Sequence, residues 1–160
     1  MRVPKAAFRG VGIITVLVGL GLAIGVAQSV PQEALPVLGQ PAPAAGQELG
    51  GRHQLQQAGV QVRQMQTRRG VLLRAYVDRN GNIFGLAWQG AVAPDLSRLL
   101  GARFAAFQQA LARQSPRRRG PVAVEVNGMV VQLSGHVRDL RGRAWLADAV
   151  PATLSPAVIQ

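Results

Sequence analysis

The Asn80-Gly81 dipeptide constrains this chain more than any other feature, because it stands between two runs that alternate like strands, Val71 to Asp78 and Ile83 to Gln89. In a two-residue hairpin turn both positions take positive φ, which asparagine and glycine tolerate and most residues do not. Such a turn fixes the register: Val77 faces Phe84, Ala75 faces Leu86 and Leu73 faces Trp88. Side chains alternate along a strand, so those six share one wholly apolar face. On the other face Tyr76 falls opposite Gly85, where its ring is placed to cover the bare glycine. The chain is committed here to an antiparallel sheet with one buried face.

The neighbouring segments extend that sheet and cover it. Val60 to Thr67 forms a preceding strand, with Val60 and Val62 on one side, and Arg68-Arg69-Gly70 turns it into the next. Pro94-Asp95 begins a helix, with proline in the first turn and an acid at the positive dipole end. Leu96, Leu99, Leu100, Phe104, Phe107, Ala110 and Leu111 recur on one stripe of it, and Ser115-Pro116 ends it. Gly101 inside the helix costs about 1 kcal/mol against alanine, which close packing or a kink would explain. Asn127-Gly128 repeats the hairpin logic, placing Val126 opposite Met129, Val124 opposite Val131 and Val122 opposite Leu133. Beyond Ser134 the pattern weakens, with Arg143 to Leu146 as a possible last strand. The expected architecture is α+β: an antiparallel sheet made of a three-strand meander, one helix, then a β-hairpin and an optional further strand, with the helix packed on one sheet face.

The ends differ from this middle. Arg2, Lys5 and Arg9 precede an uncharged run whose apolar heart is Val11 to Val26, the pattern of a signal peptide. Small residues place cleavage after Ala27 or after Ser29; the alternative is an uncleaved inner-membrane anchor through residues 10–27. No paired arginines are present, so the route is Sec and the destination the periplasm or outside. Residues 28–58 are rich in Pro, Ala, Gln and Gly and read as a disordered linker. Residues 59–150 read as a single domain and 151–160 as a loosely packed tail.

Three blocks carry a resemblance. The first runs from Tyr76-Val77-Asp78 through Gly81, Phe84, Trp88 and Gly90. The second is Pro94-Asp95-Leu96 with Leu99-Leu100-Gly101 and Phe104. The third is Ser134-Gly135-His136 with Arg138, Gly142-Arg143-Ala144 and Pro151. In these the chain resembles exported bacterial proteins grouped only as a domain of unknown function, with a weaker echo at Leu38-Gly39-Gln40-Pro41. It departs from them at Arg103, where an aromatic is common. The resemblance implies an exported address and a small α+β fold, and brings no activity, ligand or catalytic residue.

Little in the sequence points to chemistry. The chain has no cysteine, which excludes disulfides, thiolate nucleophiles, cysteine-bound metals and a lipid-modified N-terminal cysteine. Ser134, His136 and Asp139 are the only local set with hydrolase residue types, but no nucleophile elbow surrounds the serine, and the set reads as a polar turn. His53 and His136 are the only histidines. Asp78 and Asn80 echo part of a calcium loop without its closing glutamate, and read as turn formers. Neither a metal nor another cofactor is expected. The formal charge of +11 is almost all arginine, densest at Arg117, Arg118 and Arg119. These three are the candidates for contact with an anionic envelope surface. An exported protein with no stacking surface is not expected to take nucleic acid as a partner. The sequence therefore favours a non-enzymatic envelope module that binds a partner or serves structurally, against a small hydrolase centred on His136.

Overall fold

The structure, a computed structural model, describes residues 34–49, 53–114 and 121–160. The expected signal segment and Arg117 to Arg119 lie outside the described residues. In chain order the elements are β1 (Gln47–Leu49), α1 (His53–Gln57), β2 (Gln61–Gln66), β3 (Leu72–Val77), β4 (Ile83–Gly90), α2 (Leu96–Leu100), α3 (Phe104–Ala112), β5 (Val122–Val126), β6 (Met129–His136) and β7 (Asp139–Leu146). Short 3-10 turns occupy Gly101–Arg103, Ala147–Ala149 and Pro156–Val158. The strands form one antiparallel sheet in the order β1-β2-β3-β4-β7-β6-β5. The α+β class holds, but the sheet has seven strands and a different arrangement from the one expected. The largest difference is β7. In place of a short optional last strand it runs for eight residues and joins the two halves of the sheet.

The first hairpin keeps its expected register away from the tip, pairing Leu73 with Trp88, Ala75 with Leu86 and Tyr76 with Gly85. At the tip the expectation fails. Asp78 N–H donates to the Asn82 carbonyl (2.9 Å) and Gly81 N–H donates to the Asp78 carbonyl (3.1 Å), so Arg79-Asn80-Gly81 form a three-residue loop. Gly81 alone of these takes positive φ (83°), as in a type I turn closed by a glycine bulge. The Asp78 carboxylate stabilises this loop by accepting from the N–H groups of Asn80 and Asn82. The added residue is absorbed beside Tyr76: the pairing jumps to Val77 with Ile83, and Phe84 becomes the bulged residue. Phe84 therefore turns to the opposite face, its ring centroid 6.4 Å from that of Tyr76. Gly85 is covered by Ile159, whose side chain crowds the space a Cβ would need, rather than by the Tyr76 ring. The second hairpin follows its expected register throughout, with Asn127 (φ 49°) and Gly128 (φ 70°) in the turn.

One sheet face is buried under the helices. Leu73, Ala75, Val77, Ile83, Leu86, Trp88, Val124, Met129, Val131 and Ala144 pack with Leu99, Leu100 and Phe107. The expected single helix is broken. Gly101 takes φ 55° and separates α2 from α3. A Cβ at Gly101 would lie 2.9 Å from Val37 Cγ1, so glycine lets the preceding segment approach the break. Asp95 is the N-cap of α2 and Pro94 lies outside it, whereas proline was expected in the first turn.

The described parts of both segments read as loose are built into the domain. Leu38 is fully buried, and its N–H donates to the Leu99 carbonyl (2.9 Å). Residues 39–42 hydrogen-bond to the tip of the first hairpin, and β1 extends the sheet beside β2. At the other end Ile159 is fully buried with Tyr76, Phe84, Ala87 and Trp145 on the second face. A few well-placed apolar residues hold these segments, which is why their Pro- and Ala-rich composition was misleading.

Candidate functional site

The second face of the sheet divides into an apolar half and a polar half. One cross-strand row reads Val130, Trp145, Gly85, Tyr76, Val62, and the tail covers it. The next row reads Ala123, Gln132, Arg143, Ala87, Arg74, Gln64. A third brings Ser134 beside Arg141 and Arg141 beside Gln89. Strand alternation puts these polar side chains on one face; the strand order sets them side by side.

The two polar rows floor an open groove of about 580 Å³. Its lining includes Arg74, Arg141, Arg143, Gln89, Gln132 and Ser134, and no acidic side chain. Two of the arginines are held firmly. Arg74 Nε donates to Gln64 Oε1 (3.2 Å) and its Nη1 to the Gln160 backbone oxygen (2.8 Å). Arg143 Nε donates to Gln132 Oε1 (2.8 Å) and its Nη1 to the Ile159 carbonyl (3.3 Å). The Arg143 guanidinium also lies 5.3 Å from the Trp145 ring centroid, within reach of a cation–π attraction. Tyr76 anchors the tail: its hydroxyl donates to the Gln160 backbone oxygen and accepts from the Gln160 N–H, both at 3.0 Å.

Ser134, His136 and Asp139 all fall on the β6–β7 hairpin, and only Ser134 lines the groove. His136 pairs with Asp139 across the strands beside the Val137-Arg138 turn. The Asp139 carboxylate, however, is engaged by Arg141 (Nη2 at 3.0 Å) and by Gln89 Nε2 (3.1 Å). Those hydrogen bonds, Arg141 first, hold it below the usual carboxylate pKa. Asp139 is thus committed to Arg141 and Gln89 and does not orient the imidazole. Asp78 and Asn80 are spent on the hairpin loop, and no group of metal-ligating side chains forms among the described residues. No described helix is long and apolar enough to cross a membrane.

Sequence reasoning missed Arg74, Gln132 and Arg141 as groove residues and placed Arg143 only in a possible last strand and in the third resemblance block. The available signal was their position on the polar phase of otherwise apolar strands; their convergence depends on β7 lying beside β4. The model of a family described as "Protein of unknown function (DUF2844)" matches residues 34–159. No curated protein matches the chain, and no solved structure does.

Proposed function

Since the chain belongs to the DUF2844 family of proteins of unknown function, whose description assigns no activity, we propose that it is an exported cell-envelope protein with a non-enzymatic binding domain. The observation that carries this reading is the groove, open and presenting arginine, glutamine and serine side chains among apolar ones such as Leu72, Trp88 and Leu133, around a small floor residue, Ala87. Such a surface offers fixed donors for recognition. Chemistry would need a base and its orienting acid to converge with a nucleophile, whereas Asp139 is held by Arg141 and Gln89. Export is supported by the basic start and apolar run of the sequence.

The experiment places a photo-crosslinking residue at Gln132, in the groove, or at Val137, on the exposed turn, in living cells. A discrete crosslink from position 132 and none from 137, with the protein in the periplasmic fraction, is the expected result. Esterase or amidase activity lost on Ser134→Ala or His136→Ala would instead establish the hydrolase.

A further inference from the structure

We propose that Arg74 and Arg143 form an oxyanion site that takes the carboxylate or phosphate group of a small ligand, seated over Ala87. This rests on the binding reading and names the chemistry the groove recognises.

Arg74 and Arg143 both pair with Ala87, from either side of β4. Their Cα atoms are therefore two strand spacings apart, roughly 10 Å, with only a methyl group between them. Their Nη1 atoms donate to the backbone oxygens of consecutive residues, Gln160 and Ile159, which draws the two guanidiniums toward each other. A glutamine on the adjacent strand fixes each Nε. Both guanidiniums thus have Nε and Nη1 occupied, and their Nη2 groups have no partner among the described residues. A guanidinium already locked by two hydrogen bonds loses little freedom when it binds a ligand. No acidic side chain lines the groove: on this face Asp139 is paired with Arg141, and Glu125 lies out on β5; even with the Gln160 oxygen on Arg74 as a carboxylate, one of the two charges is left over. Two neighbouring cations with free donors suit an oxyanion, which relieves their repulsion and accepts from both. A groove of about 580 Å³ is larger than one oxyanion needs, so the anionic group is one end of a longer ligand whose remainder reaches Gln89 and Ser134.

The test titrates the full chain at physiological ionic strength with inorganic phosphate, succinate and glycerol, following arginine Nε–H and backbone amide resonances. Saturable shifts at Arg74, Ala87 and Arg143 with phosphate or succinate, absent with glycerol, are expected. The tighter of the two anions identifies the source of the group. Arg74→Gln and Arg143→Gln are each expected to weaken binding about tenfold or more, the usual effect of losing a charge-assisted hydrogen bond. Arg69→Gln, with the same loss of charge on an exposed turn outside the groove lining, is expected to change it less than about twofold, since exposed charges are screened. Arg143→Lys keeps the charge and loses the fork, so it too is expected to weaken binding; it serves as the test if Arg143→Gln loosens the tail. Equal weakening by Arg69→Gln, full binding by both glutamine variants, or no saturable shift at all overturns the site. A crosslink from position 132 that persists alongside such a failure would leave the binding module standing and remove only its anion chemistry.

Discussion

Gly142 lies opposite Trp88 in the β4–β7 pair, and a Cβ added there would collide with the indole. Glycine is needed at this position for space, because the Trp88 ring lies flat over the strand. Gly142→Ala is expected to cost about 1–3 kcal/mol, the usual penalty for overpacking, read from the urea midpoint. An unchanged midpoint would mean that the ring can move aside. Asp95 makes a different residue-scale point. Its carboxylate accepts from the Ser97 hydroxyl (2.5 Å) and from the N–H groups of Ser97 and Arg98. The hydroxyl hydrogen bond foremost, with the backbone ones and the Arg98 charge, outweighs the opposing effect of burial and lowers its pKa from 3.8. A carboxylate whose folded pKa is depressed stabilises the fold above its unfolded pKa, and that contribution is lost as pH falls through the folded value. Asp95→Ala is expected to lose about 1 kcal/mol at pH 7 as the cap disappears. The difference from wild type is expected to shrink below pH 3.8, the ordinary value for the group. Chemical denaturation at pH 7 and pH 2.5 checks both statements; a difference that persists at the lower pH would assign the effect to something other than the ionised cap.

At the scale of elements, the sheet carries a core on each face, and each is closed by a segment from one end of the described chain. Leu38, from the segment before β1, closes the helix side, and Ile159, from the tail, closes the other. Truncation of either to alanine is expected to cost about 2–5 kcal/mol, as for other fully buried aliphatic residues. Because the two lie in separate clusters, the double variant is expected to lose the sum to within about 0.5 kcal/mol. A double-mutant cycle in urea measures this, and strong coupling would show that the faces are not independent. Trp88 and Phe107 share the helix-side cluster, as their patterns implied. Truncating either is expected to cost about 3–5 kcal/mol, and two unmoved midpoints would contradict that packing.

For the whole molecule, the expected exported form lacks Met1 to Ala27 or Met1 to Ser29. Intact mass of the periplasmic protein reads this directly, while a full-length species found only in membranes would establish the anchor. How much of the fold was legible in the sequence depends on how locally each feature is fixed. Hairpin registers are local, because a turn and an alternating pattern specify them within some fifteen residues. The β5–β6 pairing and most of β3–β4 could therefore be read directly. The first hairpin tip could not, because the Asp78 carboxylate favours a three-residue loop over the two-residue turn that Asn80-Gly81 suggests. Nor could the role of Leu38 and Ile159, since isolated apolar residues in Pro- and Ala-rich stretches have no period to detect. The candidate site was the least legible part. Arg74 and Ala87 meet within the first hairpin, but Arg143 is remote in sequence and joins them only because β7 inserts between β4 and β6. By itself the sequence determined β2 to β6, the faces of most of their residues and the stripe of the covering helices, through alternation and side-chain size. The tertiary structure alone decided the strand order, the two closing segments and the arginine pair, because each depends on contacts between residues too far apart for any local pattern to record.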